Sequence, residues 1–203
     1  DYESLEELKR LPLVDEQLFR KIVLLKVRIM EDALKKVIRD FPDYPKPGIV
    51  FKDISPILGD MKLYGEVIKA LVDQIRELKV DAIVGVESRG FWFGPSIAHQ
   101  LNIPFVPIRK KGKLPGEKLS YAYDLEYGSA EIEMQTGCLS KGARVLVHDD
   151  LLATGGTATA AAELVRLAGA ETVGFAFLVH LTFLNAQNSL KNVSNTIISL
   201  VNY

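Results

Sequence analysis

The chain has 203 residues, 48% of them apolar, and sets 25 basic side chains against 26 acidic ones. That length fits one domain with a real core plus an appendage, and a net charge of −1 lacks the electrostatic footprint of a nucleic-acid binder. A single cysteine, Cys138, excludes an intrachain disulfide, and His99, His148 and His180 are scattered without metal-ligand spacing, so a reducing, cytoplasmic setting is expected.

The opening DYESLEELKR is acidic and amphipathic, which is not the pattern of a secretory or transit peptide. The most apolar window, VGFAFLVHLTFL, is too short to span a bilayer. Neither a membrane nor a nucleic acid is therefore expected as a partner. Residues 3 to 39 carry Leu5, Leu8, Leu18, Ile22, Leu25 and Ile29 at helical intervals, with Pro12 breaking the run in two. Residues 1–38 are read as a helical extension and 39–203 as a single domain. The following FPDYPKPGIVFKD cannot continue a helix, because Pro42, Pro45 and Pro47 remove donors and extend the residues before them; an ordered loop with aromatic anchors is expected there.

From Met61 to Leu78 the positions Leu63, Val67, Leu71, Ile75 and Leu78 describe one face of an amphipathic helix. Short apolar runs then follow at 81–86, 103–108, 144–148, 172–179 and 196–201, all but the last two separated by stretches able to hold a helix. Near-continuous apolar strands alternating with helices predict an α/β protein with a mostly parallel central sheet covered on both faces. Residues 110–128 are polar, contain glycine and exceed an ordinary connection, so they are read as a functional loop or lid.

The stretch RVLVHDDLLATGGTATAAAEL places Asp149 and Asp150 at the carboxyl end of a predicted strand, where open α/β sheets bind ligands. Gly155 and Gly156 let the backbone approach a phosphate, Thr154 and Thr157 add hydroxyl donors, and the next helix aims free N–H groups at the loop. Thr157 is also a candidate N-cap. Like charges keep the aspartates off the phosphate, yet they suit sugar hydroxyls beside it, so a ribose 5-phosphate meets both demands. Taken alone, Thr-Gly-Gly-Thr reads equally well as an ordinary turn; the whole strand, Asp-Asp, loop and helix arrangement is much more specific.

VLVHDDLLATGGTA, together with FPDYPKPGIVFKDISPIL, ESRGFWFGPSIA, IRKKGKLPG and YAYDLEYGSAEIE, resembles the type I phosphoribosyltransferases, and among them the adenine-specific group. The resemblance covers most of residues 41–160. It implies the type I phosphoribosyltransferase fold with a small hood, a homodimer, and transfer of the phosphoribosyl group of phosphoribosyl diphosphate to N9 of adenine, giving AMP and diphosphate in purine salvage. Magnesium is implied as a cofactor bound through the sugar diphosphate, with no direct protein ligand.

Residue by residue, the resemblance assigns Asp149 and Asp150 to the ribose hydroxyls and Ala153, Thr154, Gly155, Gly156 and Thr157 to the 5-phosphate. Arg89, Lys110 and Lys113 are assigned to the diphosphate, with Lys111 nearby and Arg109 a weaker choice because in this family it reaches the neighbouring subunit's site. By composition alone RKKGK is a solvated loop. Val50, Phe51, Lys52 and Leu151 are assigned to adenine, although Phe51 by itself reads as a core aromatic. Glu126 matches the glutamate proposed to lie against N7 of the purine, where without that context it is a surface residue. Tyr123 and Tyr127 are assigned to closure of a catalytic loop over 110–127. Two departures stand out: His148 replaces a usual aliphatic residue and His180 an acid, and both are read as packed and satisfied. Cys138 is read as a small buried hydrophobe or loop residue. A non-catalytic phosphoribosyl-diphosphate sensor lacks its expected basic face, and a 6-oxopurine enzyme conflicts with the FPDYPKPGIVFKD and LEYG motifs.

Overall fold

A hydrogen-bonded ladder of short apolar strands organises most of the chain, and it is described here from a computed structural model covering residues 15–124 and 129–203. The described residues form two compact units, one running to Asp73 and the other from Gln74. None of their helices is long and apolar enough to cross a membrane.

In the first unit, helix α1 (Glu16–Val37) starts at Asp15, whose carboxylate accepts the Leu18 N–H at 2.7 Å and satisfies one of the donors a helix start leaves open. Lys35 and Lys36 lie in its last turn, where the helix dipole favours cations. Pro12 and the break expected there lie outside the described residues. The expected proline loop is instead an antiparallel ribbon of β1 (Arg39–Pro42) and β2 (Val50–Asp53), with Phe41 opposite Phe51. The prolines are compatible with it because Pro42 ends its strand and Pro45 falls in the turn, where no ladder donor is required.

Two cross-strand ion pairs tie this ribbon, Arg39 with Asp53 and Lys52 Nζ with Asp40 Oδ1 at 2.8 Å. Hydrogen bonds from the Ser55 side chain and N–H, followed by Arg39, hold the Asp53 carboxyl down at about 2. After α2 (Ser55–Gly59), the Asp60 carboxylate accepts the N–H groups of Lys62 and Leu63, both at 3.0 Å, and starts α3 (Met61–Ile75). Leu63, Val67 and Leu71 are buried as their spacing requires; the α-helix ends at Ile75, and a 3-10 turn over Arg76–Leu78 replaces its predicted last turn.

The second unit is built on a mixed sheet in the order β10-β9-β7-β3-β4-β6-β5, with β8 beside β9. Strands β3 (Ala82–Val86), β4 (Phe105–Lys110), β7 (Arg144–His148), β9 (Glu171–His180) and β10 (Ile197–Asn202) run parallel. The short β8 (Leu151–Leu152) lies parallel to the carboxyl end of β9, with Leu151 opposite Val179 and Leu152 opposite His180. Helices α4 (Gly94–Leu101), α5 (Gly156–Leu167) and α6 (Gln187–Leu190) belong to the same unit. One face of the sheet sends Val84, Val86, Val145, Val147, Phe175 and Phe177 into a core shared with Ala158, Ala161, Leu164 and Val165 of α5.

Much of the loop predicted over 110–128 is strand. β5 (Lys118–Asp124) pairs antiparallel with β6 (Ser129–Gln135), and β6 joins the sheet edge through Arg109↔Glu133 and Lys110↔Ile132. The physical reason is a period of two: Leu119, Tyr121 and Tyr123 pack against the core while Lys118, Ser120 and Ala122 face solvent. The connection proper shrinks to the residues between β4 and β5.

Candidate active site

The parallel strands β3 and β7 are neighbours, so the turns at their carboxyl ends lie side by side and can serve one ligand. β7 delivers Asp149 and Asp150. The Asp149 N–H donates to the Ala176 carbonyl at 3.3 Å, and the Asp150 N–H donates to Asp149 Oδ1 at 2.9 Å, which fixes the pair. β3 delivers Arg89, whose Nε lies 3.1 Å from Asp150 Oδ2. This ion pair falls short of hydrogen-bond geometry, and the buried Oδ2 keeps acceptor capacity for an incoming donor. Gly90 permits the approach of the two turns, since a Cβ there would sit 2.9 Å from the His148 carbonyl oxygen.

Two carboxylates this close, with little water around them, resist full ionisation. Burial, then the charge of Asp150, raises the Asp149 carboxyl well above the ordinary carboxylate range. Burial also raises Asp150, and Arg89 opposes it. The pair therefore favours a state in which donors reach both residues, which is what adjacent sugar hydroxyls offer.

The loop after β8 enters α5 through Gly155, which sits at φ +86° and is the N-cap. Thr157, the candidate cap from sequence, is inside the first turn instead: the change of direction requires a left-handed residue, which threonine adopts poorly. A Cβ on Gly155 would also meet Ala186 Cβ at 3.3 Å. The first-turn N–H groups of Gly156, Thr157 and Ala158 have no acceptor within the helix and point out of its N-terminus, with Ala153 and Thr154 preceding them. Thr159 turns its hydroxyl back onto the Gly155 carbonyl at 2.9 Å, whereas the Thr157 hydroxyl lies 3.1 Å from that of Tyr123 on β5.

The basic segment is anchored by residues that motif reading passed over. Glu87 accepts the Lys110 N–H at 2.9 Å and Arg109 Nε at 3.2 Å, and Arg109 Nη1 donates to the Lys113 carbonyl at 3.3 Å. Burial pushes the Glu87 carboxyl up, but the Lys110 N–H and Arg109 outweigh it and hold the carboxyl below its usual range. Register makes these neighbours, since Val86 pairs with Ile108. Glu133 accepts the Gly112 N–H at 2.9 Å, and Lys111 is held by Glu131 at 2.6 Å. The Lys110 and Lys113 side chains are exposed beside this framework.

Val50, Phe51 and Lys52 belong to β2 of the first unit, where Lys52 is buried on Asp40 and Phe51 meets Tyr44 edge-on with ring centroids 5.3 Å apart. Leu151 lies on β8 beside Val179. Glu126 and Tyr127 fall outside the described residues. The expectation that His148 and His180 are satisfied needs correction. The His148 Nδ1–H donates to the Ala176 carbonyl at 2.9 Å, but Nε2 of each histidine is buried without a partner among the described residues. Burial drives the His148 imidazole down to about 4 and lowers His180 as well. Cys138 is half-buried, and its S–H donates to the Gln135 carbonyl at 2.8 Å.

Among the described residues no cluster of three or more His, Cys, Asp or Glu side chains is arranged to hold a metal ion. The oxygen donors at the site are the two aspartates, which fit a cation that arrives on a substrate's oxygens better than a resident one.

Residues 57–200 match the phosphoribosyl transferase domain. The chain is 49% identical over 175 residues to the adenine phosphoribosyltransferase of Cytophaga hutchinsonii, covering 86% of this chain and 97% of that protein. It is 54% identical over 154 residues to that of Sorangium cellulosum, covering 76% and 77%. Among solved structures, the adenine phosphoribosyltransferase of Thermoanaerobacter pseudethanolicus superposes with a TM-score of 0.82 at 45% identity, over 85% of this chain and 99% of that one. The Saccharomyces cerevisiae enzyme, solved with an imino-altritol bisphosphate and adenine, gives 0.79 at 39% identity, over 85% and 99%.

Proposed function

Since the chain belongs to the phosphoribosyl transferase family, among the adenine phosphoribosyltransferases, we propose that it serves purine salvage by transferring the 5-phosphoribosyl group of phosphoribosyl diphosphate to N9 of adenine. The observation that carries this reading is the juxtaposition of an Asp149–Asp150 pair with the glycine loop that opens α5. In the reaction N9 bonds to the anomeric carbon, the bond from that carbon to the diphosphate oxygen breaks, and its electron pair leaves with diphosphate. The base gives up one proton overall.

The N–H groups and hydroxyls from Ala153 to Thr157 hold the 5-phosphate, and Asp149 and Asp150 accept the ribose hydroxyls. Positive charge develops on the sugar as negative charge collects on the leaving group, so Arg89, Lys110 and Lys113 belong near the diphosphate. Arg89 is shared between that role and Asp150, and a ribose hydroxyl on Oδ2 frees its guanidinium. Magnesium, held through the oxygens of phosphoribosyl diphosphate rather than by a protein ligand, would supply further neutralisation of the leaving group. Phe51 and Leu151 are assigned to the faces of adenine, and the backbone of Val50 and Lys52 to its edge. Glu126 is assigned to N7, where it moves a proton as N9 reacts. Tyr127 and the rest of the 110–127 segment are assigned to exclusion of water. A homodimer and a cytoplasmic location are part of the same reading, supported by the resemblance for the former and by the single cysteine for the latter.

The test is AMP formation from adenine, phosphoribosyl diphosphate and magnesium, with hypoxanthine and guanine in parallel. Product from adenine alone is expected. Absence of product from every base, with phosphoribosyl diphosphate still binding by calorimetry, would replace the enzyme with a sensor.

A further inference from the structure

We infer that Tyr123 is a positioning residue for the 5-phosphate, acting through the hydroxyl of Thr157. The inference rests on the phosphoribosyl reading of the loop and adds to it a residue from a different part of the chain, 34 positions away.

Tyr123 lies near the end of β5 on the face turned toward the core, opposite Ala130 of β6. Its ring is half-buried with Leu119 and Tyr121, so the hydroxyl has little freedom to wander. It stands 3.1 Å from Thr157 Oγ1 in the first turn of α5. The neighbouring hydroxyls provide the contrast. Thr159 spends its proton on the Gly155 carbonyl at 2.9 Å, and Thr154 is exposed. Among the described residues, only Thr157 of these three is held by a side chain from outside its own helix.

Proton counting then sets the direction of the pair. Each hydroxyl has one proton to donate and lone pairs to accept with. When Thr157 donates to a phosphate oxygen, it is left only as an acceptor toward Tyr123, so the Tyr123 O–H donates to Thr157 and the Thr157 O–H donates to the phosphate. A hydroxyl that accepts in such a chain is the stronger donor. Tyr123 thus orients Thr157 before the ligand arrives, and its removal leaves the Thr157 hydroxyl free to rotate away.

Tyr123→Phe keeps the ring and deletes the hydroxyl. The expected result is a rise in KM for phosphoribosyl diphosphate of about three- to tenfold, the range of one ordinary hydrogen bond. The KM for adenine should hold, and the loss should fall on the KM for phosphoribosyl diphosphate rather than on kcat; a fall in kcat with that KM unmoved would overturn the inference and leave Tyr123 with loop closure alone. Thr157→Val should raise the same KM, and adding Tyr123→Phe to it should cost nothing more, because the second hydroxyl has lost its target.

An unchanged KM in Tyr123→Phe would overturn the inference, and so would a penalty that persists in full on the Thr157→Val background, since that means an effect through the hairpin itself. Calorimetric titration with ribose 5-phosphate reads the same contact without turnover. A wild-type protein that makes no AMP yet binds ribose 5-phosphate more tightly than Tyr123→Phe would therefore sink the proposed reaction and support the positioning role.

Discussion

Asp149, Asp150 and His148 are consecutive, and burial acts on them with opposite signs: it raises the two carboxyls and lowers the imidazole, in each case against the charged form. The histidine yields the cleaner prediction because it is fully buried, no charged group contributes to its shift and its Nδ1–H is committed to Ala176. Its folded-state value of about 4 lies below the ordinary 6.5, so the folded protein prefers the neutral ring. The stability this confers is complete above pH 6.5 and is lost as pH falls from there toward 4. The difference between the two values corresponds to on the order of 3 kcal/mol. Urea unfolding from pH 7.5 to 4 should show the loss, and His148→Leu should flatten that part of the profile whatever it does to stability at neutral pH. An unaltered profile in the variant would place the acid sensitivity elsewhere. The sequence marks His148 as a departure, but not its missing second partner: that depends on what surrounds the far side of the ring.

The turn from β8 into α5 and the hairpin of β5 and β6 were legible to different degrees. The glycine pair announces a close backbone approach, and Gly155 supplies the left-handed conformation at φ +86°. Gly155→Ala should therefore cost about 1–2 kcal/mol in urea unfolding and weaken ribose 5-phosphate binding, because an L side chain is strained there and Ala186 blocks the space. Gly65→Ala in α3, where nothing lies within 4 Å of the added Cβ, should instead stabilise by about 0.5–1 kcal/mol. Equal effects of the two would show that conformation is not what selects glycine at 155. The hairpin is harder to see. Its alternation of Leu119, Tyr121 and Tyr123 is a strand signal, but the lysines and glycines before it and the glycine after it dominate a reading by composition. Pairing with β6 settles the matter, and that pairing is antiparallel in a sheet whose other strands are parallel.

For the whole assembly, the proposed homodimer predicts a sedimentation mass near twice that of the 22.5 kDa chain, unchanged by dilution into the range used for assay. A monomer with full activity under the same conditions would remove the partner from the reading. The sequence by itself determined the class of fold, the five parallel strands β3, β4, β7, β9 and β10 and the glycine loop before α5, since hydrophobic period, glycine freedom and a helix start are properties of contiguous residues. Only the tertiary structure decided which strand ends face each other. Placing β3 between β4 and β7 makes Glu87 the anchor of Arg109 and Lys110 and sets Arg89 against Asp150; laying β5 and β6 at the sheet edge brings Tyr123 to Thr157. Strand order is chosen by the burial of whole faces and by ladder hydrogen bonds between distant segments, so contacts that depend on it have no signature in the local sequence of either partner.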